Sequence, residues 1–173
     1  MGDPLAKAKE FILKGVDAER KWRGYEEILA HYENAARETP QWHEPWNRMS
    51  TLFRRYSQYE RSLDAAESAI KLAPQDPGGW YNKGLALKAL ERPQESIDAL
   101  AKCVELDPRH IDGWVNKGTV HVQQKQWKEG LVCGRAALKL DPTYHSAITL
   151  EKICTAAGPE PPSGGAPPAA KAH

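Results

Sequence analysis

GWYNKGLALKALERPQESIDALAKCVELDP, residues 79–108, and GWVNKGTVHVQQKQWKEGLVCGRAALKLDP, residues 113–142, are one pattern written twice at an interval of 34 residues. Stepping back by the same interval from Trp80 and Trp114 reaches Trp46. A repeat of this length is a pair of short helices joined by a tight turn. Such a unit cannot bury its apolar face alone and stacks on its neighbours.

The other recurring positions each have their own physical role. Four residues after the tryptophan stand Ser50, Gly84 and Gly118, small enough for a second helix to approach closely. Seven residues after it, Phe53, Leu87 and His121 return to the tryptophan's face by helical spacing. Further on come Ser62, Ser96 and Gly130, then Ala69, Cys103 and Ala137, small residues that mark a crowded seam. Pro74, Pro108 and Pro142 stop the second helix, because proline has no N–H and disfavours helical geometry in the residue before it.

Taken together these positions resemble the tetratricopeptide repeat. The resemblance implies an all-α, right-handed solenoid of helix-turn-helix hairpins, with three clear repeats at 43–76, 77–110 and 111–144. One period before Trp46 lies Ile12, followed by Tyr25, Ile28, Tyr32, Ala35 and Pro40, which predicts a degenerate hairpin over 4–42. Gly15 falls one residue before the small position, so the register is expected to slip there. After Pro142, the residues Ala147, Ile148, Leu150, Ile153 and Cys154 predict an amphipathic capping helix over 145–157. The segment 158–173, GPEPPSGGAPPAAKAH, has no large apolar residue to repay the entropy of ordering and reads as a tail.

Composition narrows the function. With 24 basic and 23 acidic residues the formal charge is +1, without the basic excess that phosphate backbones require, so no nucleic acid partner is expected. The N-terminal sequence has no apolar run for a signal or a membrane span, and Ala6 departs from the myristoylation pattern; the expectation is a soluble, cytoplasmic chain without membrane contact. Cys103, Cys133 and Cys154 lack the short paired spacing of a zinc site and read as buried apolar residues; the six histidines are scattered, His121 at a core-facing position. Neither a phosphate loop nor a nucleophile motif is present, so no enzyme activity, metal or cofactor is expected.

Function then belongs to the inner wall formed by the first helix of each hairpin. Helical periodicity places Asn47, Arg48, Thr51, Arg54 and Arg55 on it, then Tyr81, Asn82, Leu85, Lys88 and Ala89, then Val115, Asn116, Thr119, Val122 and Gln123. Amides suit the main chain of an extended peptide and arginines suit a carboxylate, so an acidic or carboxylate-bearing segment of another protein is the expected ligand. Some members of the family clamp a chaperone's C-terminal carboxylate with Lys, Asn, Asn, Lys and Arg. This chain matches at Asn82 but has Leu13, Asp17, Asp112 and Asn116 at other clamp positions, which disfavours that ligand. Lys83 and Lys117 are expected to pack their stems between helices with the ammonium in water. Two alternatives to a peptide-binding scaffold are a self-assembly module, using the ends or a convex face carrying Trp127 and Tyr59, and a small chaperone of the secretion type.

Overall fold

The computed structural model describes residues 3–158, so all but the first residue of the expected 158–173 tail lies outside them. The described residues form nine helices and no strand: α1 (Pro4–Arg20), α2 (Tyr25–Glu38), α3 (Glu44–Arg55), α4 (Tyr59–Leu72), α5 (Pro77–Ala89), α6 (Pro93–Leu106), α7 (Ile111–Gln123), α8 (Trp127–Leu140) and α9 (His145–Ala157). Proline in the first turn starts α1, α3, α5 and α6, where its missing N–H costs nothing. Asp3 caps α1 by accepting from the Leu5 N–H at 3.0 Å.

Consecutive helices pack as hairpins, and the hairpins stack in chain order. Along one side the first helices touch each other, α3 against α5, α5 against α7, and α7 against α9. The second helices make no comparable contact among themselves, so the first helices form the inner wall and the second helices the outer one. Within hairpins the small positions carry hydrogen bonds as well as close approach. Ser50 Oγ and Ser62 Oγ each donate to the other's carbonyl at 2.8 Å, and Ser96 Oγ donates to the Gly84 carbonyl at 2.7 Å, all fully buried.

Between hairpins the recurring tryptophan ties each repeat to the loop before it. The Trp80 indole N–H donates to the Pro74 carbonyl at 2.9 Å and that of Trp114 to Pro108 at 3.0 Å. Trp46 has no such partner and its indole nitrogen is buried. The first junction is held by other means. Arg55 pairs with Glu19 Oε2 at 3.1 Å, Tyr32 donates to Glu19 Oε1 at 2.8 Å, and the Tyr25 hydroxyl donates to Gln58 at 3.0 Å.

The expected slip is visible in the turns. Ser57, Glu91 and Lys125, spaced by the repeat period, adopt φ of 58° just after α3, α5 and α7. In each turn the next residue's N–H reaches back to the carbonyl five positions earlier, as Gln58 does to Phe53 at 2.8 Å, a left-handed helix stop. After α1 the same role falls to Trp22, with φ of 54° and Arg23 reaching back to Ala18 at 2.9 Å. That places the stop one residue early. The extra residue is Gly24, which caps α2 and lets that helix start one full period before α4.

Candidate functional site

The inner wall contains two hollows and a row of side chains that brace neighbouring helices. Asn47 on α3 donates to Asp76 Oδ2 at 2.9 Å. Asn82 on α5 is buried; its amide donates to the Asn47 side-chain and main-chain oxygens at 3.3 and 3.4 Å, and its own oxygen accepts from Thr51 at 3.4 Å. Asn116 on α7 donates to the Tyr81 hydroxyl at 3.2 Å and to the Asp112 carbonyl at 3.0 Å. Both amides therefore spend their donors inside the protein, although sequence alone marks them as peptide contacts. Thr51 and Thr119 also return their hydroxyls to their own helices, at 3.2 and 2.8 Å.

The arginines divide in the same way. Arg48 pairs with Glu44 one turn earlier at 2.7 Å, and Arg55 with Glu19 on the first hairpin. Among the described residues Arg54 has no carboxylate partner. It lies with Lys88 on a hollow of about 480 Å³ whose other walls include Tyr81, Leu85, Asn116 and Gln123. The Lys88 ammonium donates to the Asn116 side-chain oxygen at 3.2 Å and makes no ion pair. Burial, and then the Arg54 charge, hold its pKa below the ordinary lysine value. Burial and the Asp112 carboxylate push the Tyr81 phenol up to about 12, so its proton stays in place as a donor. Among the described residues, the walls of this hollow thus gather two cations, no carboxylate and a phenol that keeps its proton.

The second hollow, about 500 Å³, lies between α7 and α9 and takes its apolar surface from Val115, Val122, Leu150 and Ile153. Val115 and Leu150 are buried, whereas Ile153 is 44% exposed. Thr149 stands at its rim. The capping helix thus also continues the inner wall, as its contact with α7 requires. Periodicity carries the signal for this: one period beyond Trp114 is Ile148, and the inner-wall offsets from it give Thr149, Leu150 and Ile153.

Other sequence readings resolve by contact. Tyr59, expected on a convex face, lines the hollow shared by Arg54 and Lys88 instead. Lys83 reaches back to Glu67 on α4 at 2.8 Å, and Lys117 lies 5.6 Å from the Trp114 ring centroid. The three cysteines are buried. His121, expected as a packed ring, is only half-buried, with Nδ1 2.6 Å from Gln126 Oε1 across the turn. Among the described residues no group of three or more His, Cys, Asp or Glu is placed to hold a metal ion, and no helix is long and apolar enough to cross a membrane.

No curated protein matches the sequence. Among solved structures, the chain is similar to MamA 41-end from Desulfovibrio magneticus RS-1, at 22% identity and a TM-score of 0.75 over 90% of this chain and 86% of that one. It is similar to YrrB, a tetratricopeptide repeat protein with an unusual peptide-binding site, at 19% identity and a TM-score of 0.67, covering 84% and 75%. It is also similar to the TPR2B domain of yeast Sti1 in its pHsp70 complex, at 24% identity and a TM-score of 0.61, covering 66% and 94%. These likenesses establish the fold. Residues 77–110, which include α5, α6 and the tryptophan-to-proline linkage between repeats, match the tetratricopeptide repeat family model.

Proposed function

We propose that this chain is a protein-interaction scaffold whose inner wall takes an extended, acidic segment of a partner. The observation that carries the reading is the Arg54 and Lys88 pair, two neighbouring cations on one concavity with no carboxylate of the described residues between them. Bringing like charges together costs free energy that a bound anion returns. The charged contacts are partly exposed and contribute modestly, so the affinity is expected in the micromolar range, about −8 kcal/mol, with main-chain and apolar contacts supplying the rest. The Sti1 domain in its pHsp70 complex and the peptide-binding description of YrrB support the mode by analogy of fold.

The test is affinity capture from native extract with Arg54→Glu/Lys88→Glu beside the unaltered chain, read by mass spectrometry. Loss of a specific protein at unchanged helix content is the expected outcome. Retention of every captured protein would discard the groove. Arg55 is left alone because its charge also holds the first hairpin through Glu19.

A second reading, self-association, draws on Leu13 and Trp22, 69% and 92% exposed on the first hairpin. Sedimentation across a range of concentrations separates the two. A monomer throughout removes self-association.

A further inference from the structure

The two inner-wall hollows share a wall residue, Asn116, and differ in chemistry: cations and a phenol on one side, and on the other an aliphatic patch edged by Asp112, His145 and the hydroxyls of Thr119, Ser146 and Thr149. Building on the groove reading above, we infer that they act together on one extended segment. An anionic side chain sits between Arg54 and Lys88, and a bulky aliphatic side chain three or four residues away enters the hollow formed by Val122, Leu150 and Ile153.

The spacing follows from the helices. The cationic hollow is centred over α5 and the aliphatic one between α7 and α9. Packed helices lie roughly 8–10 Å apart, so the centres are about 10–15 Å from one another. A polyproline II segment presents the same face every three residues, about 9 Å on, and a β-extended one every two, so that the residue four on lies about 13 Å away on the same face. The β-extended spacing spans the hollows directly and the polyproline II spacing does so with the reach of the two side chains, whereas adjacent residues cannot.

The occupant is argued from complementarity. Among the described residues Arg54 and Lys88 lack an acid, and Tyr81 keeps a proton to donate, so the first position takes a carboxylate or phosphate on the segment. Ile153 is partly exposed beside a wall of valine and leucine, so the second position takes an aliphatic side chain. Asn116 cannot serve as the recognition group, since both its amide donors are engaged. Its part is to hold Lys88 and Tyr81 in place.

Fluorescein-labelled twelve-residue peptides in a Gly/Ser/Thr background test this by anisotropy on the full chain. Each holds one Glu, or one phosphoserine in a parallel set, and one Leu at a separation of one to eight residues in both orders. Affinity is expected to peak at a separation of three or four and to fall about tenfold at one and at seven, the scale of one buried aliphatic side chain. Comparison of the two sets identifies the anion. In Ile153→Asp, compared at helix content equal to that of the unaltered chain, the peak should flatten while dependence on the anion persists. If affinity depends on the anion but not on the Leu separation, the two-part reading fails and the groove stands. If no peptide binds at millimolar concentration, or Arg54→Glu/Lys88→Glu leaves binding unchanged, both fail.

Discussion

At the scale of single residues, the cost of the close helix approach can be stated in atoms. A Cβ on Gly84 would lie 2.5 Å from Leu100 Cγ, and Leu100 is fully buried with nowhere to move. Gly84→Ala is therefore expected to destabilise by about 1–3 kcal/mol, measured by urea denaturation. At Gly24 nothing lies within 4 Å of the added atom, and the position caps α2 without a side-chain bond. Gly24→Ser is expected to gain a few tenths of a kcal/mol. The cysteines make a chemical counterpart. Burial pushes the Cys103 thiol up to about 12 and that of Cys133 up to about 11, so neither is a thiolate at pH 8. Iodoacetamide should label them only when the chain unfolds, with mass spectrometry counting the adducts; rapid labelling of the native chain would contradict the burial. The difference between Arg54 and Arg55, in contrast, was not legible in the sequence. It depends on Glu19, distant in the chain and brought near only by stacking. The same holds for Asn82 and Asn116, whose partners belong to neighbouring repeats.

At the scale of the helix and its turn, periodicity was most informative, because spacing of small and apolar residues is a local property of one hairpin. The αL stops were not legible, since none of Trp22, Ser57, Glu91 or Lys125 is the glycine that such positions favour. They adopt that backbone because the Schellman-type hydrogen bonds and the packed helix pair on either side impose it. Each holds a small strain that glycine would release. Glu91→Gly is expected to raise stability by about 0.5–1 kcal/mol at unchanged helix content, seen as a higher thermal midpoint. A lower midpoint would mean that unfolded-state entropy outweighs the strain. The first hairpin also shows why its register was only partly readable: Gly15 revealed a slip, but that Gly24 absorbs it depends on where α1 stops.

At the scale of the whole molecule, stability is a chain of neighbour contacts, with no single core shared by all repeats. The buried residues reflect this. One cluster joins α1 through α4 around Tyr32, Leu52 and Phe53, and a separate one joins α7, α8 and α9 around Val115, Ala137 and Ala147. Removing the segment from residue 145 onward deletes Ala147, Leu150 and Cys154, which lie buried against the last hairpin, and exposes the apolar side of α7 and α8. Loss of that cover should act mainly on the nearest hairpin and fade with each repeat towards the N-terminus. Hydrogen exchange read by mass spectrometry on the truncated chain is expected to show strong loss of protection in α7 and α8, less in α5 and α6, and little in α1 and α2. Uniform loss across all helices would instead mean that the hairpins unfold as one cooperative unit, since a purely neighbour-coupled stack has no means of transmitting the loss of one end to the other undiminished.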